Sequence, residues 1–222
     1  MSRGTKLLIS LFSIGFFYIL GGLMAVGVLL MIALHELGHL YAAKRLGYPT
    51  GGFFLTPLGG LAIIKGRIIN LTDRFVISLA GPVVGALLST LALGVYCFWN
   101  NEFILKMGKI WALVNLMNLL PIFFLDGGQV WWCIGNSITT KYGFKHWFLI
   151  PTWGGLLIIF SIFGLMPIVI WGLIFFGLGL HRMVKREIWS LRENIPMNAW
   201  EIYLAELSYL ALVFELGVLT WI

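Results

Sequence analysis

The stretch MAVGVLLMIALHELGHLYAAK, residues 24–44, decides how the rest of the sequence is interpreted. It is an apolar run about long enough to cross a bilayer, and it contains the pentapeptide HELGH at residues 35–39. Two histidines at positions i and i+4 lie on one face of a helix, about 6 Å apart along its axis, and can bind one metal ion. Glu36, between them, is placed to activate a water molecule at that metal. The stretch therefore predicts a metal site within a membrane helix.

The depth of these polar side chains favours the metal over a simpler explanation. Glu36 is the only acidic residue among the first 72 positions. His35 is nine residues before Lys44, so about 13 Å of helix separates it from the expected membrane surface. An ionisable group at the centre of a membrane helix costs roughly 2.5–3.5 kcal/mol. A lone histidine could hydrogen-bond a carbonyl group, but three clustered polar side chains at this depth indicate a bound metal.

The composition indicates a membrane protein. Of the 222 residues, 60% are apolar and 11% are charged, and the mean hydropathy is +0.96. The net charge of +6 comes from short basic clusters between apolar runs, at Arg3/Lys6, Lys44/Arg45, Lys65/Arg67 and 182–192. This distribution is typical of charges that orient a chain in a membrane, and it argues against nucleic-acid binding. We expect a multi-pass protein of the plasma membrane with a cytoplasmic N-terminus.

Six apolar runs predict about six transmembrane helices in an all-α polytopic fold. The runs are 5–20, 22–46, 76–99, 110–134, 146–164 and 167–181. Gly21-Gly22 is the expected hairpin between the first two, although one bent helix is an alternative. Residues 49–72 contain β-prone runs at 53–55 and 61–64 between glycines and prolines, which predicts a small membrane-associated β-hairpin between helices two and three.

The end of the chain leaves two structural alternatives open. Residues 1–192 are expected to form a transmembrane core, and residues 193–222 a separate C-terminal apolar segment. That segment is long enough to span a bilayer, but Glu201, Glu206 and Glu215 do not share one helical face. An interfacial helix and an additional crossing both fit this pattern.

A catalytic zinc site needs three protein ligands and one open position, and HELGH supplies two. Asp126 is the favoured third ligand, because it is an acid within the apolar run NLLPIFFLDGGQV at 118–130. Asp-Gly-Gly also suits a simple turn. Other candidates are Asp73 beside a basic cluster, Glu102 in a loop, and His146 and His181 at helix ends.

The sequence resembles the site-2 proteases, a family of intramembrane zinc metalloproteases (peptidase family M50). That family has an HExxH helix and a later NxxPxxxxDG segment, and this chain matches both spacings at 35–39 and 118–127. PLGG at 57–60 and AGP at 80–82 lie between them in the family's order. The resemblance covers about residues 22–135. It implies a minimal core member, since no PDZ-like or CBS-like domain is visible.

The resemblance assigns roles by position. It implies that His35, His39 and Asp126 bind Zn²⁺ and that Glu36 is the general base. Asn118 matches an asparagine that contacts the substrate or the developing oxyanion, with bonding between helices an equal alternative. Residues 51–65 resemble a hairpin that presents an edge strand to the substrate, with binding candidates Phe53, Phe54, Leu55, Gly59 and Gly60. The chain departs from the family after AGP, where Val83-Val84-Gly85 stands in a stretch that carries an asparagine in many members.

The activity implied is hydrolysis of peptide bonds within or near transmembrane segments, as in regulated intramembrane proteolysis. The implied partners are a single-pass membrane-protein substrate, the lipid bilayer and a regulatory membrane protein. Two other classes remain as alternatives: a catalytically silent relative that binds membrane partners, and a metal transporter. Intact HELGH disfavours the first. Ligands concentrated at one depth, without others along a path, disfavour the second.

Overall fold

The computed structural model describes residues 3–56, 59–122, 125–142 and 194–221. The elements in these ranges are α1 (Arg3–Arg45), β1 (Thr50–Thr56), β2 (Gly59–Ile64), α2 (Leu71–Trp99), α3 (Glu102–Asn118), α4 (Asp126–Tyr142) and α5 (Ala199–Trp221). The predicted helices at 146–164 and 167–181, the histidines at 146 and 181, and the basic cluster at 182–192 lie outside the described residues.

Three described helical segments are long and apolar enough to cross a membrane, namely Gly21–Arg45, Leu71–Trp99 and Ala199–Trp221. Their outward faces carry large apolar side chains, such as Leu91 of α2 and Phe214 of α5, which are 64% and 74% exposed. Exposed apolar surface of this extent marks contact with a partner or a membrane. The chain is therefore a mainly helical membrane protein with one small sheet.

The first helix folds back on itself at Gly22. This residue has φ 58° and ψ −144°, a conformation that glycine adopts without steric cost. An unbroken helix would hold Ser13 and Glu36 about 34 Å apart. Instead, Ser13 donates a hydrogen bond to the carbonyl of Leu55 and Glu36 accepts one from the N–H of Ala62, and both partners lie in the same hairpin. The predicted break between the first two apolar runs is confirmed.

The predicted β-hairpin is also confirmed. β1 and β2 pair in antiparallel register, with Phe53 opposite Ala62 and Leu55 opposite Gly60. The outer edge of β1 is covered by the first arm of α1, because the N–H of Leu55 donates to Ser10 Oγ at 3.0 Å and its carbonyl accepts from Ser13. The outer edge of β2 faces the second arm of α1, where the N–H of Ala62 donates to Glu36.

The predicted single helix over 110–134 is wrong, because the chain forms two helices there. α3 ends at Asn118, and α4 begins at Asp126. Pro121 explains the break, since proline has no N–H and disfavours a helical residue before it. The Asp-Gly-Gly sequence, which also suits a turn, forms the start of α4.

The C-terminal helix α5 packs against α2, α3 and α4. Its buried face includes Ala205, Leu212 and Leu216. The hydroxyl of Tyr209 donates to the carbonyl of Leu119, at the end of α3. Just before α5, the backbone of residue 195 forms a parallel bridge beside residue 70, at the start of α2. The division of the chain at residues 192 and 193 stays a prediction.

Candidate metal centre and its cavity

The second arm of α1 carries both histidines of HELGH on the face that packs against α2. His35 and His39 are 3% and 7% exposed. Glycine at position 81 of α2 permits this approach, because a Cβ there would lie 2.3 Å from His39 Nε2 and 2.7 Å from His35 Nε2. A Cβ at Gly38 would similarly lie 2.7 Å from the carbonyl oxygen of Ala80. Absent side chains at these two positions let the helices meet.

Asp126 reaches the histidines from the first turn of α4. Its Oδ2 lies 3.0 Å from His35 Nε2, and its Oδ1 lies 3.3 Å from His39 Nε2. The two Nε2 atoms are 3.1 Å apart. Gly127 allows this placement, since a Cβ at that residue would lie 2.0 Å from the carbonyl oxygen of Leu119. Asp126 thus joins His35 and His39 in one cluster, although more than eighty positions separate it from them in the sequence.

The other ring nitrogen of each histidine has a defined partner. His39 Nδ1 lies 2.6 Å from the carbonyl oxygen of Ile77, and His35 Nδ1 lies 2.8 Å from Asn115 Oδ1. Each of these oxygens is an acceptor, so each Nδ1 carries the proton and donates. In the neutral rings both Nε2 atoms therefore present lone pairs toward the Asp126 carboxylate.

This donor set fits a zinc ion. Three groups that all offer lone pairs converge, with potential ligand atoms within 4.8 Å of one another. Ligands at about 2.0–2.1 Å from a tetrahedral zinc ion are about 3.3–3.4 Å apart, close to the separations found here. Two imidazoles and one carboxylate are also among the ligand sets of catalytic zinc sites, which leave a fourth position open.

Glu36 lies beside the cluster and touches the hairpin. Its Oε2 accepts a hydrogen bond from the backbone N–H of Ala62 at 2.7 Å. A Cβ at Gly60 would lie 2.4 Å from Glu36 Cγ and 2.9 Å from its Oε1, so glycine is needed where β2 passes this side chain. The outer edge of β2 therefore runs directly along the carboxylate.

A cavity of about 550 Å³ joins these groups. Its lining includes His35, Glu36, His39, Asp126, Asn118, Arg74 and Gln129, together with the β2 residues Gly60, Leu61, Ala62 and Ile64. Asn118, assigned by resemblance to substrate contact, therefore lies in the same cavity as the metal cluster. Buried and half-buried polar groups and a strand edge thus share one partly open cavity.

Some sequence candidates lie away from this cavity. Of the hairpin residues expected to bind substrate, Gly60 lines it, whereas Phe53, Phe54 and Leu55 lie on β1. Gly59 begins β2 next to the hairpin turn.

Two of the alternative third ligands lie elsewhere among the described residues. Glu102 is exposed in the first turn of α3. Asp73 accepts a hydrogen bond from the hydroxyl of Tyr48 at 2.7 Å. Burial and this neighbouring carboxylate raise the pKa of Tyr48 to about 12.

Sequence reasoning missed two polar groups at the site. Asn115 of α3 is fully buried and bonds His35. Arg74 of α2 lines the cavity, where its Nη2 donates to Gln129 Oε1 at 2.7 Å and its guanidinium lies 4.0 Å from the ring centre of Trp132. The available signal was the cost of polar side chains in apolar helices, which applies to Asn115 as much as to Asn118.

Comparisons with known proteins find sequence similarity to zinc metalloproteases. Residues 23–102 match the sequence model of Peptidase family M50. A zinc metalloprotease of Methanocaldococcus jannaschii is 33% identical over 120 residues, which cover 51% of this chain and 33% of that protein. The Mycobacterium tuberculosis protein named as zinc metalloprotease Rip3 is 29% identical over 140 residues, covering 57% of this chain and 36% of its own. The matched regions thus span about a third of these two relatives.

A solved structure of a site-2 protease from Methanocaldococcus jannaschii aligns with a TM-score of 0.47 and 24% identity, covering 97% of this chain and 88% of that one. The sequence matches define the class as a membrane-embedded relative of zinc metalloproteases. More specifically, residues 23–102 are similar to peptidase family M50, and about half of the chain is similar to a protein named as a zinc metalloprotease.

Proposed function

We propose that this protein is an intramembrane zinc metalloprotease that hydrolyses peptide bonds within or near transmembrane segments of other membrane proteins. The observation that carries this proposal is the position of Glu36 beside three convergent ligands in one cavity. Two of those ligands and Glu36 belong to a helix long and apolar enough to cross a membrane. Proteolysis at this position would act on the membrane-embedded part of a substrate.

His35, His39 and Asp126 would hold the zinc ion. When bound, zinc supplies a Lewis acid that polarises the scissile carbonyl and makes water a better nucleophile. Glu36 accepts the proton of the attacking water and passes it to the leaving amine. The cavity admits that water, and Asn118 is the side chain proposed to contact the substrate carbonyl or the developing oxyanion.

The outer edge of β2 is the proposed docking site for the substrate backbone. A transmembrane helix has its backbone groups bonded internally, so it must unwind before cleavage, and a strand edge can satisfy the freed groups. The edge of β1 is already occupied by Ser10 and Ser13. The edge of β2 lies along Glu36, which supports a substrate strand that passes the general base. A substrate carbonyl would compete with Glu36 for the N–H of Ala62.

The hairpin residues would have different parts in substrate binding. Gly60 remains a proposed substrate contact, and Ala62 joins it as a backbone donor. Phe53, Phe54 and Leu55 would support β2 from the paired strand, and Gly59 would set the start of the edge. Side chains at the edge add selectivity, while the main-chain bonds supply affinity.

The cellular setting is part of the proposal. We infer a multi-pass protein of the plasma membrane with its N-terminus in the cytoplasm, a single-pass substrate cleaved during regulated intramembrane proteolysis, and a regulatory membrane protein. The basic residues in the last turn of α1 and after β2 support this orientation. In a Cys97→Ser background, reaction of a cysteine introduced at Arg67 with an impermeant maleimide tests it, and labelling from outside intact cells would reverse the assignment.

The central test uses purified protein in detergent and in proteoliposomes. We expect one zinc ion per chain, cleavage of a synthetic transmembrane peptide, loss of cleavage with a chelator and recovery with added zinc. Zinc without cleavage of a panel of such peptides would favour a silent relative. Zinc flux into proteoliposomes without cleavage would favour a transporter. A chain that binds no zinc would contradict the proposed function altogether.

A further inference from the structure

A single buried amide connects α3 to the metal cluster. Asn115 is 0% exposed, and its Oδ1 lies 2.8 Å from His35 Nδ1. An asparagine at a fully buried position in a helix bundle needs partners for both its donor and its acceptor groups. The hydrogen-bond partners of Asn115 determine which atom of its amide faces His35.

The orientation of this amide is fixed from the other side. Asn115 Nδ2 donates to the carbonyl oxygen of Trp111 at 2.8 Å and lies 3.1 Å from Met31 Sδ. Both of these atoms only accept hydrogen bonds, so the amide nitrogen must face them. The amide oxygen must then face His35, whose Nδ1 is the donor. Asn115 thereby holds the tautomer in which His35 Nε2 offers its lone pair to a metal.

Room for the amide is provided by a missing side chain on α2. A Cβ at Gly85 would lie 2.0 Å from Asn115 Oδ1, 2.1 Å from Cγ and 2.2 Å from Nδ2. No left-handed backbone conformation requires glycine at this position. Gly85 is therefore explained by the amide that it accommodates, and the two residues form one complementary pair across the helix interface.

The two metal-binding histidines differ in this respect. His39 bonds a backbone carbonyl, that of Ile77, which no substitution removes. His35 bonds a side chain, which the sequence can change. Hydrogen-bond partners of metal-ligating histidines set ring orientation and basicity, and their loss typically lowers metal affinity by about 10–100-fold.

We propose that Asn115 is the positioning residue that orients His35 for metal binding, and that Gly85 is present to admit it. The inference rests on the zinc site of the proposed function. It identifies a functional pair in which neither residue belongs to the HELGH or the NLLPIFFLDG motif. The amide touches neither substrate nor metal, so it acts through the histidine.

The test is zinc affinity, measured by chelator competition on full-length protein in detergent, together with thermal unfolding of the metal-free protein. Asn115→Leu removes the acceptor at similar volume, and we expect affinity to fall about 10–100-fold. Asn115→Asp keeps the acceptor that faces His35 but loses the Nδ2 donor to the carbonyl of Trp111, so its loss of zinc affinity should be clearly smaller than that of Asn115→Leu. The visible spectrum of the cobalt-substituted protein should change in Asn115→Leu and not in Asn115→Asp.

Matched glycine substitutions test the second half of the pair. Gly85→Ala should displace the amide and weaken zinc binding, whereas Gly94→Ala on the same helix should not, because nothing lies within 4 Å of a Cβ there. The double variant Gly85→Asn/Asn115→Gly returns an amide from the other helix, and we expect it to recover most of the affinity lost in Asn115→Leu.

Three results would overturn the inference. The first is wild-type zinc affinity in Asn115→Leu, and the second is equal loss in Asn115→Asp and Asn115→Leu. The third is a loss in Asn115→Leu that merely follows a lower unfolding temperature of the metal-free protein while the double variant gives no recovery. A wild-type chain without zinc would instead contradict the proposed function, so the two failures are distinguishable.

Discussion

The metal centre and the edge of β2 face the same cavity, yet they are built in different ways. The centre consists of buried side chains from α1 and α4, and each histidine is held by a second hydrogen bond. The edge consists of backbone groups on half-buried residues and meets the centre through the contact between Ala62 and Glu36. In the proposed function, catalysis would depend on fixed side chains, whereas substrate recognition would depend on main-chain groups that any substrate sequence can pair with.

This contrast predicts two kinds of mutational effect. Changes at the metal centre should affect every substrate alike, because the same groups act on every peptide bond. Changes at the edge should leave zinc in place and depend on how easily the substrate unwinds. The following substitutions test the contrast, beginning with the largest expected effect.

Glu36→Gln should abolish most cleavage, because the amide cannot accept a proton from water. The loss should be about 10²–10⁴-fold for all substrates. Zinc content, measured by atomic spectroscopy, should stay at one per chain. Glu102→Gln, at an exposed position of α3, is the matched control and should cleave at the wild-type rate. Near-normal turnover by purified Glu36→Gln would remove Glu36 from the mechanism.

Asp126→Ala should weaken zinc binding more than any change at Asn115, because it removes one of the three proposed ligands rather than the hydrogen-bond partner of one. An affinity loss well beyond 100-fold is expected. Chelator competition measures it. Full zinc occupancy together with activity in this variant would mean that the third ligand lies elsewhere in the chain, and His146 would be tested next.

Ala62→Pro should reduce cleavage of a helical substrate and leave zinc content unchanged. Proline removes the N–H that points out of the sheet, and edge strands tolerate proline at such positions. Phe53→Pro alters the residue directly opposite, on the covered strand, and should have less effect on cleavage. The loss in Ala62→Pro should be smaller for a substrate with helix-breaking residues near its cleavage site. Equal effects of both prolines on both substrates would argue against strand addition.

Ser13→Ala should have the smallest effect. It removes a buried hydroxyl that bonds the carbonyls of Ile9 and Leu55 and leaves the second of these without that partner. A destabilisation of about 1 kcal/mol is expected, visible as a lower unfolding midpoint in detergent. Cleavage well below that midpoint should be unchanged, and a selective loss of activity would show that the covered edge also takes part in substrate binding.

The sequence predicted those parts of the fold that depend on local pattern. HELGH required one helical face, the glycine pair indicated a break, and alternation of β-prone runs with turn residues indicated the hairpin. The break after Asn118 was missed because the residues on both sides of Pro121 are apolar, so hydropathy shows no boundary there. Hydropathy measures transfer from water and is insensitive to a lost backbone hydrogen bond.

The site was predictable only where residues share a motif. Asp126 followed from the cost of an acid in an apolar run, and the structure brings it to the histidines. Asn115 and Gly85 lie on different helices, so their complementarity exists only after α2 and α3 have packed. Likewise, β2 faces Glu36 because the first arm of α1 covers the edge of β1. This arrangement depends on how α1 packs, and no local sequence pattern indicates it.

The bond from Tyr209 to the carbonyl of Leu119 bears on where a minimal catalytic unit can be cut. Leu119 caps the end of α3, and its carbonyl oxygen lies close to Gly127, the residue after Asp126. A fragment that ended at residue 198 would retain His35, Glu36, His39 and Asp126, yet it would lose the hydroxyl that bonds the end of α3. Boundaries drawn from motif positions alone would therefore be too short, because a helix without any proposed catalytic side chain belongs to the working unit.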